Sequence, residues 1–328
     1  MRISRAVLSA WLLVASAAAF AQATPEVSTV FAFNGSVPNG GIVQGPDGAL
    51  YGTSATNTFV SGGLVYRSTV TGSSVTTIHQ MTVDDGYLPK AGLLQGSDGL
   101  LYGTTRLGVR TVPNTSGTIY RVGYDGRVYT TLHSFAAYTE FNVNGNPINE
   151  DGVYPEAPLI QGSDGTLYGT ARAGGTNGTG VIFSISPDGS GFSVLHEFGE
   201  VTSDETDNVS KNVGGSNPIG SLLQVGSFLY GSAAAGGTAG RGTIYRIRLD
   251  GTGFEVVHEF TAIAAESPFE NEDGATPLVG LTDGGDGFLY GVATAGGQNG
   301  VGTLFSIDPN SLLFTVLHNF ETPNGANP

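Results

Sequence analysis

Apolar residues in this chain come in short runs, rich in Val, Ile, Leu, Tyr and Phe, and each run is broken by Gly, Asn, Asp or Pro. Such runs predict short β-strands joined by tight turns. Past the first residues, no segment carries apolar positions at helical spacing. One stretch shows the pattern: L-I-Q (159–161), L-Y-G-T (167–170), V-I-F-S-I (181–185) and F-S-V-L-H-E-F (192–198). Between them lie S-D-G (163–165), a Gly-rich link (174–180) and P-D-G (187–189). The Gly of each D-G pair supplies the positive φ that a tight hairpin needs. The four runs therefore read as four antiparallel strands.

The same order recurs along the chain. L-Y-G begins at Leu50, Leu101, Leu167, Leu229 and Leu289, at spacings of 51, 66, 62 and 60 residues. Proline precedes an apolar residue by four positions in every copy: Pro38 and Ile42, Pro89 and Leu93, Pro155 and Leu159, Pro218 and Leu222, Pro277 and Leu281. The first hairpin turn is Asp47-Gly48, Asp98-Gly99, Asp164-Gly165 and Asp286-Gly287, while the fourth copy has Val225-Gly226-Ser227. A unit of this length cannot bury both faces of a small sheet alone, so the copies pack on one another. The expectation is an all-β protein, a β-propeller of five four-stranded blades. A β-helix or open solenoid is the alternative. Residues 28–33 (S-T-V-F-A-F) add a sixth copy of the fourth strand. They cap the five blades, or mark a six-position ring if they join a blade formed by something else, such as a second subunit.

The amino terminus changes the picture next. Arg2 and Arg5 precede an apolar run over residues 6–20, and Ala21-Gln22-Ala23 fits a small-x-small cleavage site. Residues 1–23 read as a signal peptide and 24–328 as a single propeller domain of repeats about 60 residues long. The run is short for a bilayer span, so no membrane span is expected after its removal. The expected location is secreted, periplasmic or at the cell surface. There is no cysteine, which excludes disulfides, thiolate metal sites and thiol nucleophiles. Without Arg2 and Arg5 the chain has 11 basic residues against 28 acidic ones. That balance disfavours nucleic acid as a partner. Acidic links such as residues 200–207 and 270–273 read as solvated loops. A weak Ca²⁺ site is the sharper reading, but no D-x-D-x-D-G loop supports it. No other cofactor is expected.

G-L-L-Q-G-S-D-G-L-L-Y-G-T (92–104), G-G-T-x-x-x-G-T-I-Y (236–245) and V-L-H-E-F (194–198) together resemble the GloVer tandem repeat of exported bacterial proteins, a choice-of-anchor group. The resemblance covers essentially all of residues 24–328 and implies a propeller-like repeat protein with no catalytic residues to carry over. Some members have a carboxy-terminal anchor. This chain ends in N-G-A-N-P (324–328) with no apolar tail or basic cluster, so it is expected to be released, or the chain is incomplete.

Few residues carry chemistry. All five histidines, His79, His133, His196, His258 and His318, fall at one repeat position in the fourth strand. Outer positions on different blades lie far beyond a zinc–nitrogen bond of about 2 Å, and Phe31 occupies the same place in the sixth strand copy, so a packing role is expected. The L-Y-G tyrosines Tyr51, Tyr102, Tyr168, Tyr230 and Tyr290 read as rings between blades, or as an aromatic ring around a channel mouth. The Gly-rich links lack the G-K-S/T of a phosphate loop. Departures from the repeat are the remaining hint of a site: Arg106, Arg110, Arg127, Tyr138, Arg172 and Arg241 are candidates to clamp a carboxylate or sugar acid, or to neutralise nearby acids. The leading reading is a non-catalytic, monomeric propeller that binds a glycan, envelope component or cell-surface protein through loops on one face. The alternative is a polysaccharide hydrolase or lyase with its site at the central channel.

Overall fold

The computed structural model describes residues 36–56, 62–82, 84–109, 115–142, 144–203, 209–266 and 269–321. The signal peptide, the strand copy at 28–33, the acidic run at 204–207 and the carboxy-terminal N-G-A-N-P lie outside the described residues. No helix occurs among the described residues. Five four-stranded antiparallel sheets follow one another along the chain, each a simple meander. Unit 1 comprises Ser36–Gln44, Leu50–Thr56, Leu64–Ser68 and Val75–Gln80. Unit 2 has Leu94–Gln95, Leu101–Thr105, Thr118–Val122 and Tyr129–Ser134, and unit 3 has Ile160–Gln161, Leu167–Ala171, Val181–Ile185 and Ser193–Glu197. Unit 4 has Leu223–Val225, Phe228–Ala233, Thr243–Arg248 and Glu255–Glu259, and unit 5 has Thr282–Asp283, Leu289–Ala293, Thr303–Ile307 and Phe314–Asn319. This is the propeller arrangement the repeat predicts.

The L-Y pair explains how the sheets hold each other. Neighbouring side chains on a strand point to opposite faces. Leu167 packs toward unit 2, in a cluster with Tyr102, Ile119 and Phe135. Tyr168, the next residue, packs toward unit 4 with Phe198, Leu229 and Tyr245. Units 1 and 2, and units 4 and 5, meet through equivalent clusters. The Gly after the Tyr makes room for the third strand's ring: a Cβ at Gly169 would come within 2.5 Å of Phe183 Cζ.

The fourth strand departs from strict alternation. His196 lies opposite Ile182 and Val194 opposite Phe183, with a register shift between Ile182 and Phe183 that leaves Leu195 unpaired. The same shift occurs in the other four sheets. It is a β-bulge. It puts Leu195 and His196 on the same side, toward unit 4, while Val194 faces unit 2.

The links between units are anchored by a second repeated device. The residue before the proline has positive φ in four units: Leu88 (59°), Tyr154 (62°), Asn217 (57°) and Thr276 (56°). A bulky residue adopts this conformation only where its surroundings impose it. Here two backbone bonds do so. Tyr154 N donates to Ser116 O at 3.0 Å and Tyr154 O accepts from Arg172 N at 3.1 Å. Leu88, Asn217 and Thr276 make the matching pairs. An asparagine clamps the same link. Asn271 Nδ2 donates to Thr261 O at 3.0 Å and Gly274 O at 2.6 Å, and its Oδ1 accepts from Gly274 N at 2.9 Å and Gly297 N at 2.6 Å. Asn149 and Asn212 play the same part. Two small sheets escape the repeat pattern. Glu140–Phe141, Pro147–Val153 and Ala173–Gly175 form one; Thr202–Ser203 and Ser210–Lys211 form the other.

The outer faces of units 1 and 5 differ from the rest. Ile42 is 59% exposed where its counterparts Leu93, Leu159, Leu222 and Leu281 are between 2% and 8% exposed. Leu304 of unit 5 is half-buried where Val65, Ile119, Ile182 and Ile244 are fully buried. Among the described residues, each of the four buried clusters joins consecutive units.

Replacing Asn271 with Ala removes four hydrogen bonds at one link. It should lower unfolding stability by about 2–4 kcal/mol, read as a shifted urea midpoint with unchanged slope. A loss under about 0.5 kcal/mol would mean the link is held by something else.

Candidate functional site

An antiparallel meander places the first–second and third–fourth connections at one end of every sheet, and the second–third and unit-to-unit connections at the other. The first end is a turn face and the second a link face. They differ in chemistry.

The turn face is nearly uniform. Tyr102 donates its hydroxyl to Asp98 Oδ2 at 2.6 Å, Tyr168 to Asp164 at 2.7 Å, Tyr290 to Asp286 at 2.6 Å and Tyr51 to Asp47 at 3.0 Å. The other carboxylate oxygen holds the turn, as Asp164 Oδ1 does by accepting from Thr166 N. Burial, then the bond to Asp164, pushes the Tyr168 hydroxyl up to about 12. Burial of Asp164 is outweighed by the hydrogen bonds of Tyr168 and Thr166, so its carboxyl is held low. Unit 4 lacks the Asp, and Tyr230 instead donates to Pro309 O of the next unit at 3.3 Å. These carboxylates are engaged in the turns. Arg127 is on this face, 87% exposed along its side chain and 3.5 Å from Asp125.

The histidines join successive units at the rim. Each ring stacks on an aromatic of the following unit: His79 on Tyr129, His133 on Phe192, His196 on Phe254 and His258 on Phe314, with centroids 3.6–3.8 Å apart. Nε2 of three of them meets an aspartate: Asp85 at 3.1 Å, Asp151 at 2.9 Å and Asp273 at 2.8 Å. His196 has Gly214 at the matching place. Without that carboxylate, burial dominates and lowers its pKa to about 4, against a smaller opposing pull from Glu197. His318 is exposed. Among the described residues no three His, Asp or Glu side chains are placed to share a metal ion.

The link face carries the departures from the repeat. Arg106 pairs with Glu156 at 2.8 Å and lies over the Tyr154 ring, 4.8 Å from its centroid. The Tyr138 and Tyr154 hydroxyls are 3.4 Å apart, and Tyr138 packs edge-on against Phe141. Burial, then this contact, pushes Tyr154 up to about 12, and the nearby charges of Arg106 and Arg172 oppose the rise. The links thus bring together Arg106, Arg172 and Tyr138 between units 2 and 3. Arg110 lies outside the described residues. Arg241 stands apart, between units 4 and 5. It lines a cavity of about 820 Å³ with Lys211, Thr238, Ile263, Phe269 and Gly296. The sequence reading passed over Lys211. Its signal was rarity: only Lys90 and Lys211 are lysines.

The half-buried His196, which lacks the aspartate of its counterparts, has a pH consequence. The unfolded chain takes up a proton near the ordinary 6.5, the folded one near 4. Between these values the unfolded state holds more protons, so stability rises with pH through the window and is complete above it. Acidification from pH 6.5 to pH 4 should therefore destabilise the protein. His196→Phe should flatten that slope in pH-dependent melting curves, with only a modest change at neutral pH. An unaltered slope would show that His196 does not titrate in this way.

Comparison with known proteins gives the fold relatives. The chain is similar to a structure from a nidogen/laminin complex, at 14% identity over 89% of this chain and 83% of that one, with a TM-score of 0.52. It is similar to oligogalacturonate lyase in complex with manganese, at 14% identity over 89% and 68%, with a TM-score of 0.53. A puromycin-hydrolysing peptidase of Mycobacterium tuberculosis matches at 11% identity over 89% and 39%, with a TM-score of 0.50. At these identities the likeness is one of fold, and a propeller fold serves both enzymes and non-catalytic proteins. No curated protein matches in sequence. In sequence the Gloeobacter/Verrucomicrobia repeat matches residues 18–213 and 149–328, overlapping spans that run through all five sheets, and the chain belongs to that repeat family.

Proposed function

We propose that this protein is an exported, non-catalytic propeller that binds a glycan, envelope component or protein at the cell surface or outside the cell, through its link face. The observation that carries this reading is the contrast between the two faces. On the turn face the same Asp–Tyr pair repeats in units 1, 2, 3 and 5, and the arginines there are tied to neighbours, as Arg67 is to Asp47 and Arg246 to Glu255. On the link face the repeat is broken by Arg106, Arg172, Arg241, Lys211, Tyr138 and the exposed Phe141. Loops held by a rigid scaffold are where proteins commonly place binding residues. Export is supported by the amino-terminal sequence pattern. No helix of the described residues is long and apolar enough to cross a membrane.

The channel-site alternative asks for opposed carboxylates, about 5–9 Å apart for glycoside hydrolysis. One position of the innermost strands is Gln44, Gln95, Gln161 and Gln224 in units 1–4 and Asp283 in unit 5. The amides are spent on neighbours: Gln161 accepts from Ser97 N at 2.8 Å, and Gln224 from Ser163 N at 2.8 Å.

The test is a glycan array and a polysaccharide-depolymerisation assay on residues 24–328, with a variant carrying Tyr138→Ser, Phe141→Ser and Arg172→Ala. The expected result is binding by the parent chain, at least tenfold weaker in the variant, with no new reducing ends. Release of oligosaccharide would overturn the non-catalytic reading. Full binding by the folded variant would move the site off this part of the link face.

A further inference from the structure

Arg241 stands at a repeat position that is otherwise small or uncharged: Gly62, Ser116, Thr179 and Val301 in units 1, 2, 3 and 5. Two of these cap a carbonyl at the end of their own fourth strand: Ser116 Oγ donates to Ala136 O at 2.8 Å, and Thr179 Oγ1 to Phe198 O at 2.6 Å. Unit 4 gives up this cap for a guanidinium at the wall of the 820 Å³ cavity. Arg241 Nε is buried and has no hydrogen-bond partner among the described residues. A buried donor left without an acceptor is costly, more so when charged. The guanidinium it belongs to stands at the cavity wall, where a ligand's acceptor can meet it.

The surroundings narrow the ligand. Lys211 lines the same cavity. The carboxylate of Glu259, on the same unit, is engaged by Thr238 N at 3.2 Å. The rest of the wall is largely apolar: Ala262, Ile263, Ala264 and Phe269, whose ring is at a residue 53% exposed. The volume falls within the range of about 300–1,000 Å³ usual for small-molecule sites. A planar guanidinium matches a carboxylate in a two-bonded fork. An aromatic ring and alkyl groups suit the C–H face of a sugar ring.

We infer that this cavity binds an acidic sugar, with its carboxylate on Arg241 beside Lys211 and its ring against Phe269 and Ile263. The inference rests on the reading of the link face as a binding face and gives that face a ligand class. The net charge of −15 sets a limit on size. A long polyanion would be repelled beyond the cavity, so the ligand is a single uronic acid unit, or one at the end of a chain.

The experiment is calorimetric titration of residues 24–328 with galacturonate and glucuronate, against the methyl ester of galacturonate, acetate and inorganic phosphate. The expected result is saturable binding of a uronate, with the ester at least tenfold weaker. Arg241→Thr restores the residue of unit 3 and should leave the melting temperature in place while weakening uronate binding at least tenfold. Phe269→Ala, at an exposed position, should weaken it several-fold. Equal binding of acid and ester, or an unchanged affinity in Arg241→Thr, would overturn the assignment. Acetate and phosphate binding as well as the uronates would overturn its sugar part and leave a bare oxyanion site. If the uronates fail while the array still shows glycan binding lost with Tyr138, Phe141 and Arg172, the cavity assignment falls and the link face stands.

Discussion

Apolar groups on both faces of one strand are the constraint from which the rest of the structure follows. A strand reading L-Y-G has large apolar groups on both sides, so each of the three middle sheets packs between two neighbours. Leu167 and Tyr168 are adjacent in sequence yet serve separate interfaces. Burying each such side chain is worth roughly 1.5–3 kcal/mol, and the chain has no disulfide to share the load. Stability is therefore held between units more than within them. The stacking of each histidine on the next unit's aromatic ring extends the same dependence to the rim.

Much of this was legible in the sequence because it repeats. The four strands, the D-G turns, the proline register and the two-sided burial all leave a mark in the order of residue types. What did not show is whatever depends on contacts between copies. V-L-H reads as an ordinary alternating strand, and only the pairing of Val194 and His196 with Phe183 and Ile182 reveals the bulge at Leu195. The position of His196 could be read from the repeat, but its stacking on Phe254 and the missing carboxylate at Gly214 could not. Glu140–Phe141 and Pro147–Val153 lie in a stretch rich in Asn and Gly that carries no strand signal. The candidate arginines were visible as departures from the pattern. Their division among a turn, a link and a cavity was not, because that depends on which end of the sheet each connection occupies.

The two faces divide the work of the molecule. At the turn face a carboxylate and a phenol meet within the first hairpin of units 1, 2, 3 and 5. At the link face the connections are longer and the residues unlike from unit to unit, with basic side chains in two places. Such an asymmetry arises when one end of a ring is constrained by folding alone and the other is free to change.

The pre-proline residues show why the link face has this freedom. Leu88 and Tyr154 make the same two backbone bonds although the connection leading to Tyr154 builds two strands of its own and the one leading to Leu88 is short. Each link re-enters the ring through a fixed gate, and what lies upstream of the gate does not alter the geometry downstream. Segments of foreign length or composition can therefore be spliced ahead of the gate without disturbing the blades, which makes this architecture a natural chassis for diversifying recognition.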